Sequence, residues 1–147
     1  MADLRAIVEE AGGADVATYL QSGNVVFDAP SGSSALDAAA LEAAIPVKTR
    51  VLILTAAEFR AVAAENPLLG IATDPSRLFT TFVDGAPASI DLPDLSPEVV
   101  VVGSHAVYQW LPEGFSKSVF TAKYAKQLGP LATARNQRTV EALLGML

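Results

Sequence analysis

The chain has 147 residues, of which 51% are hydrophobic, and a formal net charge of −6. This length and composition are typical of one globular domain or of two small packed subdomains, and exclude a disordered chain. The absence of cysteine excludes disulfides, thiol nucleophiles and thiolate metal sites. We also predict no metal site, because the acidic residues do not form a calcium-loop pattern.

The charge is distributed unevenly along the chain. Residues 113–147 carry a net charge of +3, whereas residues 1–112 carry −9. This asymmetry can mark an anion-facing surface, although ordinary solvated helix faces would produce it too. We expect no membrane span and a cytoplasmic location, because no apolar run reaches about 20 residues and the first residues do not resemble a signal peptide.

The first half of the chain predicts helix, hairpin, helix, strand and helix. Apolar spacing over residues 4–11 predicts a helix. Residues 16–20 and 24–27 predict two strands joined by a tight turn, in which Gly23 supplies a positive φ. An alanine-rich helix over residues 35–44 and a β-branched strand over residues 47–54 follow. A capping box of Thr55 and Glu58 then starts a helix that ends before Asn66.

The second half predicts three strands and two helices. Strands are expected at residues 77–83, 99–102 and 106–111, with a proline-rich surface connection over residues 84–97. A short helix over residues 119–128 ends at Gly129-Pro130. The last helix has Asn136 as its N-cap.

This order predicts an α+β fold with two subdomains. Residues 1–66 match a ferredoxin-like βαββαβ pattern whose first strand is missing. Residues 67–147 form a second small α/β subdomain with C-terminal helices, packed with the first. The missing strand is central in that pattern, so we expect either a native product that starts upstream of Met1 or a poorly stable fragment with open strand edges.

The nonapeptide Tyr-Leu-Gln-Ser-Gly-Asn-Val-Val-Phe at residues 19–27 resembles a bacterial family catalogued as domain of unknown function 1697. Residues 1–5, 116–118 and 133–136 agree with the same family. Two departures are the absent strand with its Arg-Gly-Ile-Asn-x-Gly-Gly-like loop, and Gln137 where members commonly have tryptophan. The resemblance implies a fold and no assigned reaction.

The first candidate site is Ser116, Lys117 and Ser118, which join a strand to a helix. N–H groups at a helix start bind anions, and these side chains would add donors. The glycine spacing differs from that of a P-loop. The alternative is a helix cap beside a solvated lysine.

Arg135 and Asn136 are the second part of this predicted site. An arginine fork and a helix N-terminus can face the same carboxylate or phosphate. Both segments precede helices, so we expect them to lie close together. The alternative is a capping asparagine beside a surface arginine.

A further polar cluster, at the hairpin tip, comprises Gln21, Ser22 and Asn24. Loop tips often carry function, yet turn chemistry alone explains these residue types.

These residues favour a binding module for a small phosphorylated or otherwise anionic ligand. An enzyme acting on such a ligand and a nucleic-acid-binding protein remain alternatives. The acidic net charge argues against nucleic acid, since phosphate contacts dominate that binding. No nucleophile and base are paired in a way that defines a reaction. The sequence specifies neither the ligand, nor a cofactor, nor the oligomeric state.

Overall fold

The computed structural model of the protein describes residues 2–21, 23–29, 36–85, 89–129 and 131–147. It confirms the α+β class, with helices and two antiparallel sheets. The chain divides into two compact units, residues 1–53 with 146–147 (the first unit) and residues 54–145 (the second unit). Among the described helices, none combines the length and apolar character needed to cross a bilayer.

The first unit contains the predicted hairpin between two helices. Its two strands pair antiparallel, and Gly23 has the expected positive φ of 81°. The core is formed by Val8, Val16 and Leu41, which are buried. The elements of this unit are α1 (Ala2–Glu10), β1 (Ala14–Tyr19), β2 (Asn24–Asp28) and α2 (Ala38–Ala44).

The strand predicted at residues 47–54 does not form. These residues are extended but pair with no strand among the described residues. The Val51 N–H donates instead to the Glu42 carboxylate at 2.7 Å. Val51 and Ile53 still pack against the core of the first unit. The β-branched pattern of residues 47–54 therefore predicted correctly that side chains here pack against a core. A strand also needs a neighbouring strand with which to form hydrogen bonds.

The second unit is built on a four-stranded antiparallel sheet with the order β4-β5-β3-β6. Its strands are β3 (Leu78–Val83), β4 (Val99–Val102), β5 (Ala106–Trp110) and β6 (Ala132–Asn136). Its helices are α3 (Ala56–Glu65), α4 (Val119–Lys123) and α5 (Gln137–Leu144), with 3₁₀ turns at Phe115–Lys117 and Ala125–Leu128.

The start of α3 confirms the predicted capping box. The Glu58 N–H donates to Thr55 Oγ1 at 3.1 Å, and the Thr55 N–H donates to Glu58 Oε2 at 2.7 Å. This helix was predicted to belong to the first subdomain, whereas its contacts place it in the second unit. The reason is that Phe59 stacks on Phe82 of β3, with ring centroids 5.3 Å apart.

Strand β6 was not predicted from the sequence. It pairs antiparallel with β3 along its whole length. Alanine is a poor strand former, and Ala132 and Ala134 lie in this short segment between two helical regions. The ladder with β3 overrides that weak local preference.

The sheet of the second unit has two differently covered faces. Alternation and register place Thr81, Gln109 and Ala134 on one face, here called the cavity face. Thr80 and Arg135 lie on the other, here called the helix face. Helices α3 and α5 pack on the helix face. Residues 115–128, the covering segment, pack on the cavity face, where the buried core comprises Val83, Val107, Phe120 and Leu128.

Candidate functional site

The structure places the predicted Ser116–Ser118 site at the start of the covering segment. Ser116 and Lys117 are exposed, while Ser118 is buried. The carboxylate of Glu98 accepts hydrogen bonds from the Ser118 hydroxyl and from the Val119 N–H, each at 3.0 Å. The two donors at the start of α4 are therefore engaged by an acidic side chain of the same unit.

Arg135 lies away from these residues, on the helix face. Its Nη1 donates to Thr133 Oγ1 at 2.6 Å, and burial lowers the pKa of its guanidinium below the ordinary value. On the cavity face, Phe115 contacts Phe79, with ring centroids 5.0 Å apart. Arg135 and the segment that carries Lys117 are thus on opposite faces of the sheet, and the structure does not bring them together.

Asn136 is the N-cap of α5, as predicted. Its Oδ1 accepts the Thr139 N–H at 3.0 Å. This bond satisfies one of the free N–H groups of the helix start. The structure therefore gives Asn136 a capping contact at the start of α5.

The hairpin-tip cluster is only partly described. Ser22 lies outside the described residues, and Gln21 is exposed. Asn24 is buried, and its Nδ2 donates to the Tyr19 carbonyl at 3.0 Å. This bond across the ends of the hairpin matches the turn-chemistry alternative.

A cavity of about 410 Å³ lies between the cavity face and the covering segment. Its volume falls within the range of small-molecule sites, roughly 300–1,000 Å³. The walls are mostly apolar or small, and are formed by Phe115, Phe120, Ala125, Leu128, Gly129, Ala132 and Ala134. The polar lining residues are Thr81, Gln109 and Lys126.

Two of these polar residues come from the sheet and are buried. Gln109 is 1% exposed and Thr81 is 5% exposed. The Thr81 hydroxyl donates to Gln109 Oε1 at 3.1 Å. Within the described part of the chain, Gln109 Nε2 donates to no protein group. An amide donor without a protein acceptor can bind a ligand oxygen, and Gln109 lines the cavity.

Lys126 supplies a positive charge to the cavity. It is exposed, and no ion pair links it to another described residue. Residues 114–128 contain Lys117, Lys123 and Lys126 and no acidic residue. The positive charge predicted for the C-terminal region is thus concentrated on the covering segment, while Arg135 lies on the opposite face.

Sequence reasoning missed all three polar lining residues. A usable signal was the alternation in β5, where Gln109 takes an inward position two residues after the buried Val107. An amide at such a position needs a partner inside the protein or a ligand. Lys126 carried no comparable local signal, because its neighbours are typical of a solvated helix.

The described residues contain no group of three or more His, Asp or Glu side chains arranged to hold a metal ion. The chemistry of the cavity combines an apolar wall, a buried amide and an exposed ammonium group.

Comparison with curated proteins and with solved structures gives no match. A family model described as "Protein of unknown function (DUF1697)" matches residues 1–108. This range contains the nonapeptide and one of the cavity's polar residues, Thr81, and ends one residue before Gln109. Residues 116–118 and 133–136, which also resemble the family, lie beyond it. The match covers most of the sequence, and the chain belongs to the DUF1697 family.

Proposed function

We propose that the second unit is a binding module for a small phosphorylated or otherwise anionic molecule, held in the cavity beside Lys126. The observation that carries this proposal is that Gln109 lines the cavity and that its Nε2 donates to no protein group among the described residues. An oxygen of a ligand would satisfy that donor. Lys126 would supply the charge that favours an anion.

The charge of the covering segment supports an anion over a neutral ligand. Three lysines occur within residues 114–128 without an acidic neighbour in sequence, although the whole chain is acidic. Local positive potential on an acidic protein raises the concentration of anions near that surface.

Lys126 replaces Arg135 as the main cation in this proposal, because Lys126 lines the cavity. Lys117 remains a second candidate, since it belongs to the same covering segment. It does not line the cavity, so we expect Lys117→Ala to weaken binding less than Lys126→Ala. Its contribution should shrink at high salt, as for any exposed charge.

The test is a thermal-shift screen of the full chain against nucleotides, sugar phosphates, small carboxylates and inorganic phosphate. A ligand that binds only the folded state at roughly 100 times its Kd stabilises the protein by about 2.7 kcal/mol. Lys126→Ala should abolish most of that shift. The matched control is Lys123→Ala, which removes the same charge from the covering segment outside the cavity lining. Equal losses in both variants would contradict a role for the cavity.

Two further proposals concern the fold of the first unit and the location of the protein. We retain the ferredoxin-like pattern as a proposal for the first unit because of its helix-strand-strand-helix order, although residues 47–54 do not form the strand that would follow. We further propose that the protein acts in the bacterial cytoplasm, where phosphorylated small molecules are made.

A further inference from the structure

The side-chain amide of Gln109 determines which hydrogen-bonding groups a ligand needs where it contacts the sheet. Its oxygen already accepts the Thr81 hydroxyl at 3.1 Å, and its Nε2 keeps two N–H groups without an acceptor among the described residues. The oxygen also has a second lone pair. The amide can therefore donate to a ligand and accept from it side by side.

The walls of the cavity define the shape and polarity of the ligand body. Phe120 is fully buried, and Phe115 is held against Phe79 with ring centroids 5.0 Å apart. Across from this segment, β6 contributes the small side chains of Ala132 and Ala134. A sugar packed against these apolar surfaces would leave its hydroxyl groups without partners, so we expect the ribose of a nucleotide to lie away from them. A planar ring can instead stack on the exposed part of the Phe115 ring.

We propose that the ligand contains a planar nitrogen heterocycle of the nucleobase type, linked to a phosphate. This inference rests on the proposed function of the same cavity. The edge of such a ring carries an adjacent donor and acceptor, which a glutamine amide can match with two hydrogen bonds. Gln109 is then the specificity-determining residue for the ring, and Thr81 is a positioning residue that orients its amide. Lys126 binds the phosphate.

The test compares three sets of probes on the full chain by isothermal titration calorimetry. These are nucleoside monophosphates, the corresponding nucleosides, and ribose 5-phosphate. At least one monophosphate should bind about 10-fold more tightly than ribose 5-phosphate, since a hydrogen-bonding site rejects a molecule that leaves its buried groups unpaired.

Gln109→Met keeps the length of the side chain and removes both polar groups, and its melting temperature without ligand reports whether it folds. It should weaken binding of the monophosphate by about 10-fold or more, and leave ribose 5-phosphate unchanged. Thr81→Val should reduce the ratio between the two affinities, a change that a purely structural role of Thr81 would not produce. Lys126→Ala should weaken both probes.

The possible failures separate the two proposals. If ribose 5-phosphate binds as tightly as every monophosphate and Gln109→Met has no effect, the heterocycle inference is wrong while the anion-binding function stands. If nucleosides bind as tightly as monophosphates, the ring is supported and the anionic requirement is wrong. If none of the probes and none of the anions in the screen binds, both are wrong.

Discussion

The hydroxyl of Tyr108 offers a direct test of how the helix face of the second unit is held together. Tyr108 lies in β5 and is fully buried. Its OH donates to the Val62 carbonyl of α3 at 2.6 Å and lies 3.4 Å from Glu65 Oε2. Burial raises the pKa of this phenol, so the hydroxyl remains a neutral donor through the physiological range. Tyr108→Phe removes the hydrogen bond and leaves the ring in place.

The expected loss is that of one buried neutral hydrogen bond, about 1–1.5 kcal/mol. For a unit the size of residues 54–145, each kcal/mol corresponds to a decrease in Tm of about 4–8 °C. In urea, with an m-value of about 1–2 kcal/mol/M, the midpoint should fall by roughly 0.5–1.5 M.

Trp110 makes the measurement specific, because it is the single tryptophan of the chain and lies in β5. Urea unfolding followed by its fluorescence reports on the second unit. The control is Tyr19→Phe, in the first unit, whose hydroxyl has no hydrogen-bond partner among the described residues. An unchanged midpoint for Tyr108→Phe, or an equal change in the control, would refute the assignment of this bond as a link between α3 and the sheet.

Three further predictions concern the same unit. Thr55→Ala removes the capping box of α3 and should cost about 1 kcal/mol in urea unfolding, and an unchanged value would mean that packing holds the helix end. Gly103→Ala should cost about 1–3 kcal/mol, because its Cβ would lie 2.7 Å from Tyr108 Cε2, whereas Gly70→Ala, with nothing within 4 Å, should cost far less. The Ser104 N–H and hydroxyl each donate to the Glu65 carboxylate at 2.9 Å, and these bonds hold the pKa of Glu65 below its ordinary value of 4.5. The ionised Glu65 therefore stabilises the fold above pH 4.5, and this stabilisation is lost as the pH falls through the lower pKa of the folded state. The stability difference between wild type and Glu65→Gln should therefore shrink as the pH falls below the ordinary value of 4.5. A difference independent of pH would contradict this assignment.

Membership of the DUF1697 family does not assign a reaction, so the chemistry must be argued from the cavity. The family match includes Thr81 and ends one residue before Gln109, ahead of the covering segment. If relatives keep a glutamine at the position of Gln109 while the covering segment varies, ring recognition would be shared and the anionic group would differ. Binding measurements on two relatives with different covering segments would check this.

The hydrogen-bond donors of the predicted anion site bind a carboxylate, but that carboxylate belongs to the protein itself. The donors at Ser118 and Val119 do meet a carboxylate, as the helix-start argument requires. That carboxylate is Glu98 of the same unit. The helix start thereby serves to fix the covering segment above the cavity, and the sequence contains no local signal that pairs residues twenty positions apart.

Features that depend on a few neighbouring residues were readable from the sequence. The two helix caps, at Thr55 and Asn136, depend only on residues within three positions of each other. The positive φ of Gly23 depends only on the backbone conformation of that residue. Residue types that favour strands, bounded by turn residues, likewise predicted β3, β4 and β5 within one or two residues.

Features that depend on distant partners were decided by the tertiary structure. Strand β6 exists because β3 pairs with it, while residues 47–54 lack a strand partner among the described residues and remain unpaired. Lys117 and Arg135, neighbours in the predicted site, are separated because the register turns Arg135 to the helix face. Gln109 borders a cavity because the covering segment folds over its side of the sheet. Local residue preferences are weak compared with the hydrogen bonds and burial that a sheet partner supplies, so only the folded chain determines which polar groups meet.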